Sequence, residues 1–173
     1  MTADQEPYQP EWIDKLGVVV RLLRVAIRLH FEECDPIAVH SITTAAHQII
    51  TDLLRHRQIE PTRMIATHGI KIAANFFKHA DRDPTERINI EPLARFTEEF
   101  LFDAVTSLAR LTANIPGEAQ LYWSWFQANH EELFRETSPA IDQITQTGKL
   151  IKDMPFAQIR ELINVHRLRN TPE

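Results

Sequence analysis

At 173 residues and 20.1 kDa the chain is long enough for one compact domain and short for two. A formal charge of −5 with 43% hydrophobic and 25% charged residues fits a globular protein and disfavours one that coats nucleic acid nonspecifically. The four glycines stand apart, at 17, 69, 117 and 148, which excludes a dinucleotide fingerprint and a Walker loop, and the single cysteine, Cys34, excludes an intrachain disulfide and a zinc–cysteine cluster.

Residues 1–11 are polar and proline-punctuated and read as a flexible arm ahead of a single helical domain over 12–173. From Trp12 onward, Ile13, Leu16, Val20, Leu23 and Ile27 recur at spacings of three and four and predict an amphipathic first helix. Arg21, Arg24 and Arg28 share another face, with Glu32 one turn beyond Arg28. That stripe reads as a solvated face with one i,i+4 ion pair or, alternatively, as a phosphate-facing surface. Asp35-Pro36 supplies an N-cap and a proline at the first helical position of the second helix. Val39, Ile42, Ala46, Ile49 and Leu53 carry that helix to about Arg57, and so short a turn predicts antiparallel packing of the two. Arg63 to Ala80 reads as a third helix, with Ile65, Ile72 and Phe76 toward the core, flanked by Ile70, Ala73 and Phe77. Gly69 is its weak point, at about 1 kcal/mol relative to alanine.

The stretch 81–92 carries two prolines and no periodicity and reads as a loop. A fourth helix follows from about Pro92 to Ala113 on Leu93, Phe96, Phe100, Ala104, Leu108 and Leu111, and Pro116-Gly117 ends it. A fifth, from Glu118 to about Glu136, carries Tyr122, Trp123, Trp125 and Phe126. Ser138-Pro139 caps a sixth to about Asp153, and Pro155 opens a seventh that ends near Arg169. With no period-two run and no repeat, the expected fold is all-α. The bundle has four or five antiparallel helices, with 12–113 as its core and the helices of 117–169 packed alongside. No window approaches about 18 consecutive apolar residues, and the N-terminal stretch lacks the layout of a signal peptide. No membrane partner is expected, and the expected compartment is the cytoplasm.

Eight histidines are many for this length, and their spacing discriminates among the chemistries they can support. No Glu-x-x-His occurs, which argues against a ferritin-like di-iron bundle. The string that begins at His130 has Phe134 where a zincin needs its second histidine. His40 and His47 lie seven apart on one helix face and read as core-edge histidines hydrogen-bonded to neighbours, or as metal ligands. The densest chemistry is in KIAANFFKHADRDP, residues 71–84. There Asn75 and His79 are one helical turn apart and His68 precedes Asn75 by seven, while Lys71 and Lys78 flank that face. Imidazole, amide and two ammonium groups thus gather beside an acidic loop. Alternatively, Asp81 and Asp83 merely close a helix and cap the next turn. A metal reading would join His79, Asp81 and Asp83 with His40 or His47, a donor set suited to manganese or iron.

These strings give the chain a resemblance to the HEPN superfamily, small all-α domains that include prokaryotic RNase toxins and RNA- or nucleotide-binding relatives. The family signature is an arginine, a polar residue that is often asparagine, three further residues and a histidine. ANFFKH, Ala74 to His79, keeps Asn75 and His79 and has Ala74 in the arginine position. The alanine-rich second helix is similar to the family's second helix, and Arg63 to His68 satisfies the Arg-x4-His spacing with an apolar residue after the arginine. The resemblance covers about residues 12–112. It implies RNA chemistry that needs no cofactor, with His79 as base for a 2′-hydroxyl and Asn75 as the orienting amide. Lys78 or Lys71 would be the cation at the phosphate, although lysine is a point charge without arginine's bidentate fork. Lys71, His68 and Arg63 would contact RNA, and a homodimer would complete the site.

A different class of function rests on the run LYWSWF, residues 121–126, whose aromatics cannot all share one stripe. Either flanking helices bury them, or Trp123 and Trp125 form a surface for a protein partner, which would make the chain a noncatalytic interaction module.

Overall fold

The computed structural model describes residues 12–60, 73, 75–77, 84–112, 115–134 and 150–169, with side chains as far as Val165. Within them the chain is all-α, as its periodicity predicts. The long helices are α1 (Lys15–Phe31), α2 (Pro36–His56), α3 (Leu93–Leu111), α4 (Gly117–Asn129) and α5 (Phe156–Arg169), with one 3-10 turn at Glu131–Leu133. The expected helices over 63–80 and 138–153 fall largely outside the described residues, although Ala73, Asn75, Phe76, Phe77, Leu150 and Ile151 are helical. Residues 84–92 form only turns and irregular backbone, in line with the expected loop.

Helix boundaries follow local capping chemistry. The Asp14 carboxylate accepts from the Gly17 amide at 2.6 Å and starts α1 there rather than at Trp12. Trp12 and Ile13 therefore precede the helix and are exposed, and the buried stripe is Val19, Leu23, Ala26, Ile27 and Phe31. At the other end Cys34 N–H donates to the Leu29 carbonyl at 3.0 Å, with Glu33 in left-handed backbone (φ 55°), the six-to-one closure that usually recruits glycine. Asp35 then caps α2 by accepting from Ile37 N–H at 2.8 Å, with Pro36 next in line, as expected. Gln58 repeats the same closure at the end of α2, with φ 57° and Ile59 N–H donating to Leu54 at 2.9 Å.

The four-residue turn at 32–35 folds α2 back antiparallel on α1, and this pair makes the most extensive helix–helix contact. α2 buries Val39, His40, Thr43, Ala46, Ile50 and Leu54, so Ile42, Ile49 and Leu53 sit on the flank of that line, one residue off the predicted stripe. α2 and α3 run in the same direction. His40 meets Thr97, His47 meets Asp103, and Arg57 donates to the Leu111 carbonyl at 2.7 Å, so positions rise together along both helices. The long crossover of residues 57–92 makes that parallel pairing sterically available.

α3 is the central element. Residues Phe100 to Val105 are all buried, because α1, α2 and α4 pack on different sides of it. Phe96, predicted to be in the core, is 40% exposed, since Leu93, Thr97 and Phe100 take the inward positions of the first two turns. After Pro116, α4 returns antiparallel to α3, with Phe126 stacked on Phe102 at 4.4 Å. α4 ends at Asn129, where the chain passes into the 3-10 turn rather than continuing to Glu136. α5 closes the bundle with Phe156, Ile159 and Ile163 against α1 and α4. A single hydrophobic cluster draws on all five helices, so the C-terminal helices share the core rather than lining its outside. Fully burying each of its large side chains contributes about 2–3 kcal/mol.

Candidate functional site

Of the residues predicted for catalysis and RNA contact, Asn75 is described. It is exposed on a helical turn whose Ala73 is buried, while the Phe77 ring lies 5.9 Å from the His40 imidazole in an edge contact. Phe76 packs edge-on against Phe77, also at 5.9 Å. The turn is thus anchored to α2 by its aromatic face, with the amide of Asn75 on the outside. His79, Lys78, Lys71, His68, Arg63, Asp81 and Asp83 lie outside the described residues.

His40 and His47 are hydrogen-bonded to neighbours on α3, as the first of their two readings expects. His40 is fully buried, with Nδ1 3.2 Å from Thr97 Oγ1. Because the Thr97 hydroxyl donates to the Leu93 carbonyl at 2.7 Å, its oxygen is the acceptor and His40 carries its proton on Nδ1. His47 donates from Nε2 to Asp103 Oδ2 at 3.0 Å, and the carboxylate is buried between α2 and α3. Each imidazole is tied separately to α3, and among the described residues no group of three His, Cys, Asp or Glu side chains is placed to hold a metal ion.

The aromatic run on α4 is core. Tyr122 and Phe126 are fully buried, Trp125 is 6% exposed against Phe31 and Phe156, and Trp123 is partly buried and stacked over Phe102. The flanking helices cover it, which was the first of the two readings. The hydroxyl of Tyr122 donates to the Glu98 carbonyl at 2.9 Å, and its burial raises the phenol well above the ordinary value.

Two polar clusters escaped the sequence reading. Arg28 Nη2 lies 2.8 Å from Glu118 Oε1, and Arg24 Nε lies 3.4 Å from Oε2, so the arginine stripe closes on a buried carboxylate of α4 and not on Glu32. Burial pushes the Glu118 carboxyl up, but its own backbone amide, the Arg28 hydrogen bond and both arginine charges outweigh this and hold it below the ordinary value. No local pattern announces a pair separated by 90 positions.

The second cluster surrounds His30. Its ring packs against Phe31, Tyr122, Trp125 and Phe156, with centroids 5.0–5.5 Å apart, and its Nε2 is buried with no hydrogen-bond partner. Burial pulls His30 down to about 4; the Glu98 charge opposes that and His130 adds to it. Glu98 Oε2 also lies 3.4 Å from His130 Nε2, whose ring sits over Phe126 at 4.2 Å. The signal for His30 was present in the sequence, since position 30 continues the helical series of Leu23 and Ile27.

Comparison with protein-family models, curated proteins and solved structures finds no match to this chain.

Proposed function

We propose that the chain is an RNA-directed helical protein of HEPN-like character that engages RNA through the segment around Asn75 and His79 and works as a homodimer. The supporting observation is the stance of Asn75. Ala73 and Phe77 fasten this turn to the core, and the amide between them is left for solvent instead of satisfying a buried group. In sequence, His79 follows four positions later and Lys71 and Lys78 give local positive charge to a chain whose total is −5. An amide and ammonium groups bind phosphate oxygens, and a histidine titrating near neutral pH can remove the proton of a 2′-hydroxyl. With Ala74 in the arginine position, lysine is left to balance charge on the phosphate, so binding is expected to be more robust than cleavage.

The test is titration of a labelled single-stranded RNA by fluorescence anisotropy in EDTA, for wild type, Asn75→Ala, Lys78→Ala and His79→Ala. Each substitution is expected to weaken binding by about tenfold while the helical circular dichroism is unchanged, and Lys78→Ala is expected to lower the salt slope by about one unit. Cleavage of the same RNA in EDTA, lost in His79→Ala, would add the catalytic step. A wild type that does not retain RNA, or variants that bind as it does, would overturn the reading.

A further inference from the structure

Where the C-terminus of α1, the first turns of α2 and α3 and the start of α5 converge, they leave a cavity of about 280 Å³. Its wall includes His30 and Phe156, the apolar side chain of Val39, the small Ala94, and the carboxylate-bearing Glu33 and Glu98. No lysine or arginine lines it among the described residues. His30 brings no positive charge at neutral pH, because burial holds it at about 4. The cavity therefore has acidic groups on an aromatic and aliphatic wall without a lysine or arginine among the described lining residues, and Glu98 shares its carboxylate with His130.

Two further features bear on Glu98 and Glu33. Glu98 is held from behind, since its backbone carbonyl receives the Tyr122 hydroxyl and one carboxylate oxygen stands 3.4 Å from His130 Nε2. Glu33 occupies left-handed backbone at the end of α1, where glycine would be favoured.

We infer that this cavity is a binding site for a small organic cation, an amine with a short apolar or aromatic body. The ammonium group would meet the carboxylates of Glu98 and Glu33, and the body would lie on Phe156, Val39 and the His30 ring. Rings facing a cation add attraction through their negative π faces. A neutral ligand of the same shape would forgo the ion pair with Glu33 and Glu98, and an anion would be repelled. This site is separate from the Asn75 segment and does not depend on the RNA reading.

Phenethylammonium is the probe, and phenethyl alcohol is its uncharged counterpart. Isothermal titration of the full chain at neutral pH is expected to show phenethylammonium binding with a Kd of about 1 mM or tighter, and phenethyl alcohol binding at least about tenfold more weakly. Glu98→Gln is expected to weaken the cation by about tenfold. Ala94→Phe changes an exposed α3 position that lines the cavity, so it is expected to block binding while leaving both acids and the circular dichroism unchanged. The inference fails if wild type does not bind phenethylammonium at about 10 mM, if the alcohol binds equally well, or if Glu98→Gln and Ala94→Phe both bind as wild type does.

Discussion

The interface between α1 and α4 carries two polar insertions that handle burial in opposite ways. At one end Glu118 keeps its charge, because Arg28 and Arg24 reach it with permanent cations. At the other His30 gives its charge up, because four aromatic rings surround it and the carboxylate that opposes this, Glu98, is shared with His130. Both insertions interrupt an apolar seam, and both lose their contribution on acidification, but over different pH windows. A carboxyl held low stabilises the fold above its ordinary titration range, and that contribution disappears only as pH falls through the depressed value. A histidine held low resists protonation when folded but takes up a proton when unfolded, so its contribution is complete above 6.5 and is lost as pH falls toward about 4. The arginine end should therefore outlast the histidine end during acidification.

The largest expected effect is at His30. The gap between 6.5 and about 4 corresponds to roughly 3 kcal/mol, so urea unfolding of wild type should show stability falling by about that amount across this window. His30→Leu should flatten the slope over the same window; a variant with the wild-type slope would assign the acid sensitivity elsewhere. Next comes Arg28→Ala, which leaves the buried Glu118 with only Arg24, a side chain 42% exposed, at 3.4 Å. A loss of about 2 kcal/mol at neutral pH is expected, with Arg24→Ala costing less than half as much. Equal losses in the two variants would mean that the carboxylate does not discriminate between its partners. Tyr122→Phe removes the hydrogen bond to the Glu98 carbonyl and should cost about 1 kcal/mol without changing the acid slope. Smallest is Gln58→Gly, which relieves left-handed backbone at the end of α2, far from both insertions. It should raise stability by about 0.5 kcal/mol at every pH, and a pH-dependent gain would contradict its assignment to backbone conformation.

How legible these features were in the sequence depended on how local their causes are. Asp35-Pro36 announces the start of α2 through capping and a fixed φ, and Pro116-Gly117, read as a break, falls between the end of α3 at Leu111 and the body of α4, which begins at Gly117. The start of α1 was displaced by three residues because a single carboxylate, Asp14, outweighs the apolar rhythm that begins at Trp12. In α1 and α2 the predicted stripe and the buried line share Leu23, Ile27, Val39 and Ala46, while Val20, Ile42, Ile49 and Leu53 lie one position to the flank. A periodic stripe marks the mean direction of burial, whereas the buried line depends on where α3 lies, and that is a tertiary fact. The parallel pairing of α2 with α3 and the Arg28–Glu118 contact are likewise set by elements far apart in the chain. His40 and His47 could be read as hydrogen-bonded core-edge groups from their spacing, but their partners Thr97 and Asp103 could not. At the candidate RNA site, periodicity put Phe76 toward the core with Ala73 and Phe77 as flanking positions, whereas Ala73 is the buried residue, Phe77 meets His40, Phe76 packs on Phe77 and Asn75 is exposed. Its chemistry, by contrast, was read from the order of residues in one short string.

Photocrosslinking of bound single-stranded RNA, followed by mass spectrometry of the tryptic digest, tests the central functional claim most directly. The chain cuts after Lys71 and Lys78, so the segment around Asn75 is released as the single peptide 72–78. RNA adducts concentrated on that peptide and reduced in Asn75→Ala are the predicted result. Adducts confined to other peptides, or unchanged by the substitution, would contradict it.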